Sequence, residues 1–423
     1  AAGAARAHLQ ADDCALLEHI DAWLGGEAPY SQPPGPRREA RLDAARRFQQ
    51  LTSPLAAKSV EDTGFFRYGR LLSRNEVGAE PAIFAFGAEQ FHRAAQRRRQ
   101  ALPHTMLATA THDHKRGEDA RARLAVLSEM PHTWSGVASA WLAGGAGAPH
   151  PVDQYMLFQT LVAAWPPTLA PADRDGVQAL AERVAAWQVK SLREGKLRSS
   201  WFAPDDAYEA LCAEFLQARL DPARAQGFLN ELAEFVARIG PLGALKSLAQ
   251  CLLRMTAPGV PDLYQGTEFW DFSLTDPDNR RPVDFAARMQ ALRVGASDAA
   301  LLADWRDGRI KQALVQRTLQ WRRRHPALFA DGEYLPLALE GRWHDRVVAF
   351  ARRHADELAV VIAPRLYPGD ADSHGGPQLA QPLIPPEQWQ DTAVVLPDAL
   401  AGVPLRNALD GATLAARDAR LPL

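Results

Sequence analysis

The chain has 423 residues, of which 47% are hydrophobic and 23% charged, and its formal net charge is −2. That length is enough for roughly two or three domains and a large buried core. The near balance of charge gives no electrostatic case for a nucleic-acid partner or a membrane surface, and no apolar run is long enough to span a bilayer. Three widely spaced cysteines, Cys14, Cys212 and Cys251, form neither a CxxC pair nor a metal-binding spacing, which fits a reducing cytoplasm. The N-terminus, AAGAARAHLQADDCALL, lacks an initiator Met and a signal pattern, and reads as the middle of a longer protein.

In chain order, residues 1–30 read as helical, and SQPPGPRR (31–38) breaks them with clustered Pro and Gly. A helix resumes over 39–51. LTSPLAAKSVEDTGFFRYGRLL then reads as a short apolar stretch followed by a polar, aromatic loop, in which Phe65 and Phe66 belong to the core. Residues 89–101 form a basic helix. Met106 to Thr111 is an uncharged run about as long as a buried strand, ending abruptly at His112-Asp113, and a new helix begins near Glu118. Residues 131–256 are almost entirely helical. Val177, Leu180, Val184 and Trp187 recur at helical spacing, as do Phe228, Leu232, Phe235 and Ile239, with Gly240 as a C-cap. APGVPDLYQGTEFWD (257–271) offers a second buried strand, followed by the loop FSLTDPDNRRPVDF and helices over 286–325. From 333 the pattern turns to β: EYLPLAL, DRVVAFARRH, ELAVVIAPRLY and TAVVLP are strand-like runs separated by turns. The basic runs Arg97–Arg99 and Arg322–Arg324 read as solvated helix faces.

Two segments share one architecture, a short apolar strand, then polar residues at its C-terminal end, then a helix. In a (β/α)8 barrel that is where active-site residues stand. The first, ATATHDHKRGED, places His112 and Asp113 at a strand end, and the second is GVPDLYQGTE. A carboxylate there could face the cationic, oxocarbenium-like transition state of glycosidic chemistry, with a neighbouring imidazole donating to a sugar hydroxyl. Glu118 and Asp119 could belong to the same site or simply favour the dipole of a solvated helix N-terminus. Asp276, Asp278, Asn279, Arg280, Arg281 and Asp284 crowd one loop, either as a substrate-side loop or as an Asp–Arg network bracing itself. Only six of the 48 basic residues are lysine (Lys58, Lys115, Lys190, Lys196, Lys246 and Lys311), which suggests a need for a compact point charge where they occur.

Three blocks resemble maltooligosyl trehalose synthases of the α-amylase-like glycoside hydrolase family 13: THDHKRGEDARARLAVLSEMP, FQQLTSPLAAKSVEDTGFFRYGRLLSRNEVGAEP and APGVPDLYQGTEFWDFSLTDPDNRRPVDF. The resemblance runs from about residue 45 to the C-terminal end and is weaker in the helical part. It implies an α/β fold: the C-terminal part of a (β/α)8 TIM barrel with a long helical insert and a small antiparallel β domain. The implied divisions are 1–44 (helical lead-in), 45–130 (late barrel elements), 131–245 (insert), 246–328 (last strand, substrate loop and helices) and 329–423 (β domain).

In that scheme Met106–Thr111 is the seventh strand, GVPD the eighth, and SPLAAKSVEDT lies near the sixth. Asp113 becomes the supporting catalytic carboxylate, a transition-state stabiliser, and His112 a sugar ligand. Substrate contacts are expected from Lys58, Glu61, Asp62, Arg67, Tyr68, Lys115, Arg116, Trp201, Asp262, Tyr264, Gln265, Glu268, Asp278, Asn279, Arg280 and Arg281. The sequence departs from the family pattern at Ser59, His114 and Gly117, where Gly, Thr and Ser are usual. No block matches those carrying the nucleophile Asp and the general acid Glu, which in this superfamily follow the fourth and fifth strands, upstream of residue 1.

The implied reaction turns the reducing-end α-1,4 linkage of a maltooligosaccharide into an α,α-1,1 linkage, without metal or organic cofactor, and implies a chain inactive by itself. The alternatives are a related α-glucan hydrolase or 4-α-glucanotransferase, or a non-catalytic glucan-binding fragment. The expected partner is an α-1,4-glucan.

Overall fold

A computed structural model describes residues 10–24, 33–142, 147–373, 376–397, 403–414, 416 and 418–423. The chain forms two compact units, Ala1–Gly64 and Phe65–Leu423.

The first unit is a helical pair. Helix α1 spans Ala11–Leu24, and α2 spans Pro36–Ala56 and runs into a π-helical turn over Ala57–Glu61. Pro36 suits the first turn of α2, where its missing N–H leaves no bond unmade. Arg41 of α2 holds α1: its Nε donates to the Trp23 carbonyl at 3.2 Å, and the guanidinium lies 5.6 Å from the Trp23 ring centroid. Of the helix expected over 1–30, residues 1–9 and 25–30 lie outside the described residues. The strand placed near SPLAAKSVEDT is not formed; the segment is helical. A strand needs a neighbour for its backbone hydrogen bonds, whereas a helix closes them within itself, and Leu55, Ala56 and Ala57 are good helix formers.

Two 3-10 turns follow, Gly64–Phe66 at the boundary and Leu72–Arg74 in the second unit, with Phe65 and Phe66 buried. Helix α3 (Ala88–Ala101) leads to strand β1 (Met106–Leu107) and then α4 (Glu118–Ala125). Helices α5 (Pro131–Trp141), α6 (Pro151–Ala164), α7 (Arg174–Gly195), α8 (Asp206–Arg219) and α9 (Gln226–Thr256) follow. They enclose the main apolar core, in which Trp134, Trp141, Phe158, Trp187, Phe228, Phe235 and Ile239 are buried. Asp173 and Asp205 cap α7 and α8 by accepting from the amides of Gly176 and Tyr208.

Gly240 is not a C-cap, because α9 continues through it and Pro241 to Thr256. The residue is glycine for space: a Cβ there would lie 3.2 Å from Cη2 of Trp305.

Strand β2 (Val260–Pro261) pairs in parallel with β1, Met106 opposite Val260 and Leu107 opposite Pro261. Only Met106 and Leu107 of the expected 106–111 strand are paired; beyond Leu107 the chain leaves the ladder and turns. Helices α10 (Phe285–Val294), α11 (Asp298–Ala303), α12 (Arg309–Arg324) and α13 (Pro326–Ala330) complete the helical part.

The C-terminal region is antiparallel, as its strand-like runs separated by turns predict. Strands β3 (Glu333–Pro336), β5 (Val347–His354) and β6 (Glu357–Pro364) form one sheet in the order β3-β5-β6. Strands β4 (Leu339–Glu340), β7 (Ala393–Val395) and β10 (Arg420–Pro422) form a second, ordered β10-β7-β4, and β8 (Leu405–Arg406) pairs with β9 (Thr413–Leu414). Leu337, Ala349, Ala351, Val394, Leu396 and Leu421 pack as one apolar cluster.

The basic runs are not simply solvated. Arg99 donates from Nε to the Gly332 carbonyl at 2.9 Å, and Arg322 donates to the Met255 carbonyl at 2.5 Å, while Arg97, Arg323 and Arg324 are exposed. These two guanidiniums satisfy carbonyls in or just past the last turns of α9 and α13. No helix among the described residues is long and apolar enough to cross a membrane.

Candidate active site

Parallel pairing aligns the C-terminal ends of β1 and β2. The Val260 amide donates to the Thr105 carbonyl and the Asp262 amide to the Leu107 carbonyl, each at 2.9 Å. The turn 108–117 therefore leaves the sheet beside the segment 262–267. His112 is exposed and Asp113 keeps 47% of its side chain open, while residues 114–119 are buried. An open carboxylate on a buried, anchored turn is what a reacting group needs: access on one side and fixed position on the other.

The anchoring is dense. Glu76, from the loop after Leu72–Arg74, accepts from the amides of Lys115 (2.9 Å) and Arg116 (3.4 Å) and pairs with Arg121 Nε at 3.2 Å. Arg121 in turn donates to the carbonyls of Thr109 and Arg116. From the other side, Asn279 Nδ2 donates to the His112 carbonyl at 3.1 Å and Arg280 Nε to the same oxygen at 3.3 Å. The Gly117 amide donates to the Ser273 carbonyl at 2.8 Å, and Arg116 and Leu274 form an antiparallel bridge. The loop of 271–284 is thus seated directly on the His112-Asp113 turn.

His114 fills the seam. It is buried, its Nε2 lies 3.0 Å from Ser273 Oγ, and its ring stands edge-on to Tyr264 with centroids 5.7 Å apart. Burial lowers its pKa against the pull of Asp271 and Glu76, so the neutral ring is favoured. Tyr264 donates its hydroxyl to the Asn279 carbonyl at 3.0 Å, closing a circuit between the β2 end and the loop.

The crowded loop residues brace it. Arg183 of α7 pairs with both oxygens of Asp278 at 2.8 and 2.9 Å, and Arg281 pairs with Asp278 at 3.0 Å. Lys190 pairs with Asp276 at 2.5 Å. Burial would raise both carboxyls, but these cations hold them below the usual carboxylate range. The two readings of the loop are therefore compatible: an ion-pair network braces it, and the braced loop presents Asn279 and Arg280 to the turn.

The expected site residues are placed unequally. His112, Asp113, Lys115, Tyr264, Asn279 and Arg280 come together. Lys115 is buried, with its ammonium 3.9 Å from Asp113 Oδ1 and 5.9 Å from the Phe66 ring centroid. Arg116 is buried against Trp187, 5.5 Å from its ring centroid. Asp262 is partly buried at the β2 end and Gln265 is exposed beside it. Glu268 is engaged by Arg288 at 3.2 Å. Arg67 is drawn to the Gly195 carbonyl at 2.6 Å, and Tyr68 lies under the Arg74 guanidinium at 5.4 Å. Trp201 is half-exposed on the loop between α7 and α8, with Arg193 at 5.1 Å from its ring. Lys58, Glu61 and Asp62 belong to the first unit, where Lys58 pairs with Asp62.

Three groups escaped the sequence reading. Glu76 and Arg121 lie within the resembling blocks, but no local pattern marks them as partners of the turn. Lys311 is fully buried, 2.7 Å from both Glu118 Oε1 and Asp119 Oδ2, and Arg254 lies 2.6 Å from Glu118. Glu118 and Asp119 are accordingly not a solvated helix start, because two buried cations neutralise them. The scarcity of lysine was the available signal for Lys311. Among the described residues no group of three or more His, Cys, Asp or Glu side chains is arranged to hold a metal ion.

No family profile matches the chain. Two curated Mycobacterium tuberculosis proteins, each named as a candidate maltooligosyl trehalose synthase, are 39% identical over 323 residues, covering 76% of this chain. The solved maltooligosyltrehalose synthase of Arthrobacter ramosus superposes with a TM-score of 0.75 at 33% identity, over 100% of this chain and 48% of that one. A Sulfolobus tokodaii structure, titled a hypothetical maltooligosyl trehalose synthase, gives a TM-score of 0.62 at 28% identity, over 83% of this chain and 48% of that one. The chain spans 39% of the length of the curated relatives it matches. Agreement of sequence and of fold over most of its residues makes the chain a member of the maltooligosyl trehalose synthase family.

Proposed function

We propose that residues 1–423 form part of an enzyme that converts the reducing-end α-1,4 linkage of a maltooligosaccharide into an α,α-1,1 linkage, leaving a trehalose-ended chain. The observation that carries this reading is the parallel β1–β2 pair, whose C-terminal ends present an open Asp113 on a turn clamped by Asn279 and Arg280. In this reading β1 and β2 are the seventh and eighth strands of a barrel, and the boundaries near 44, 130, 245 and 328 divide it from its insert and β domain.

Asp113 stabilises the positive charge that develops at the anomeric carbon, and His112 orients a sugar hydroxyl. Retaining exchange also needs a nucleophilic carboxylate and a general acid, which we place outside residues 1–423. The released glucose stays bound, turns and attacks through its own anomeric hydroxyl, so the site must hold it and exclude water. We assign Asp262, Tyr264, Gln265, Asn279 and Arg280 to holding it, with Asp278 and Arg281 bracing their loop. Lys115 and Arg116, being buried, act by fixing the turn. Lys58, Glu61, Asp62, Arg67, Tyr68, Trp201 and Glu268 remain proposed glucan contacts. The chemistry invokes no metal or organic cofactor, and the three free cysteines suit a cytoplasmic setting.

The test is product analysis of the complete enzyme on maltopentaose. Loss of reducing ends without matching release of glucose supports the reading. A rise in reducing ends would make it a hydrolase, and exchange of chain lengths at constant reducing ends a 4-α-glucanotransferase.

A further inference from the structure

A concavity lies between α7 and the braced loop, and none of residues 108–117 lines it. It is a cleft of about 340 Å³ between one face of α7 and residues 275–281. Arg183, Ala186 and Trp187 form the helix wall, and Asp276, Pro277, Asp278 and Arg281 form the loop wall. That volume falls at the lower end of the range for small-molecule sites.

The walls are rigid, since the Arg183–Asp278 pair ties one to the other through two hydrogen bonds, and Lys190–Asp276 ties them again. The charges on them balance. The two guanidiniums face Asp278, Asp276 has Lys190, and Glu182 stands exposed at the rim. Neither an anion nor a cation is therefore favoured. Carboxylates and guanidiniums already oriented by each other can still accept from and donate to hydroxyls. Ala186 and Pro277 add apolar surface for a C–H face. Trp187, 4% exposed, adds part of its ring to the lining, while its indole N–H is shut off from solvent.

We propose that this cleft binds one glucosyl unit of an α-1,4-glucan, as a site separate from that at Asp113 and joined to it through the 275–281 loop. The choice of a glucosyl unit among uncharged polyhydroxyl ligands rests on the function proposed above. Because Asn279 and Arg280 leave the same loop toward the His112 carbonyl, a sugar seated on Asp276 and Asp278 would stiffen the clamp on the catalytic turn. Occupancy by a remote part of the substrate would thereby favour the ordered turn.

The test uses residues 1–423 with maltose and maltopentaose as probes. The Trp187 indole ¹H–¹⁵N resonance, assigned by its loss in Trp187→Phe, should shift saturably with either sugar. Ala186→Phe fills the cleft from an exposed helix position, and should weaken maltose binding about tenfold or more while leaving the circular dichroism spectrum unchanged. Maltopentaose binding that leaves Trp187 unmoved, with Ala186→Phe binding as tightly as the parent, overturns the cleft and leaves the enzymatic reading standing. A Trp187 shift produced by inositol but not by either maltooligosaccharide overturns the glucosyl assignment and counts against the glucan substrate itself. A shift produced by inorganic phosphate instead would overturn the uncharged ligand class.

Discussion

Glu118 and Asp119 sit side by side at the start of α4 and share one ammonium, that of Lys311, with Arg254 completing a neutral group of four buried charges. Lys311 is fully buried, and the larger, planar guanidinium of an arginine would need more room than its ammonium takes between the two carboxylates. Removing one member strands the others, so Lys311→Met should lower stability by about 3–5 kcal/mol, read from urea denaturation; a loss under about 1 kcal/mol would mean the charges are solvated. The pH response has a defined sign. Burial pushes the Asp119 carboxyl up to about 6, with Lys311 opposing and Glu118 adding, so the folded state holds that proton longer than the unfolded chain does. Stability from this group is greatest at low pH and falls as pH rises from about 4 to 6. Burial would raise Glu118 as well, but Lys311 and Arg254 overcome it and hold it down at about 2, so its contribution is lost as pH falls from about 4.5 toward 2. Asp119→Asn should therefore flatten the limb between about pH 4 and 6 and keep the loss below it, measured as urea midpoints across pH; an unchanged upper limb would refute the assignment.

Element by element, the β1 turn and the 271–284 loop act as one piece because they touch without spacing. A Cβ on Gly117 would lie 2.4 Å from the Asp271 carbonyl oxygen, so Gly117→Ala must push the loop away. We expect a loss of about 1–3 kcal/mol and faster amide exchange over 271–281, with α6 to α9 unaffected; unaltered exchange in the loop would show that the two pieces are independent. This is also where sequence reading stops. The end of the uncharged run at His112-Asp113, the helix start at Glu118 and the crowded loop at 276–281 were legible because each is a local pattern. Glu76 and Lys311 were not, since their partners lie 39 and 192 positions away and no periodicity links them. The strand near residue 55 is absent for a related reason: its pairing would be non-local, while Leu55, Ala56 and Ala57 favour bonds a helix can make alone. Apolar spacing marks α7 and α9 within a segment, 131–256, that reads as helical throughout, but it does not reveal that Gly240 leaves room for Trp305 inside α9.

For the molecule as a whole, the second unit has a two-stranded parallel sheet with Met106 68% and Val260 45% exposed. Parallel sheets are normally covered on both faces, and open edges invite pairing. Residues 1–423 should consequently self-associate with rising concentration, seen as a shift to faster species in sedimentation velocity; a single monomeric species at high concentration would mean the edge is protected. The helical core of α5 to α9 is unaffected by this, so circular dichroism should remain native through the association. What the whole account stands on is the role of Asp113, open at the end of β1 and held from both sides. The most direct measurement is the rate at which the complete enzyme removes reducing ends from maltopentaose, for the parent and for Asp113→Asn. The account predicts a fall of roughly a hundred- to a thousandfold in kcat, with an unchanged melting transition, whereas activity within a few-fold of the parent would contradict it.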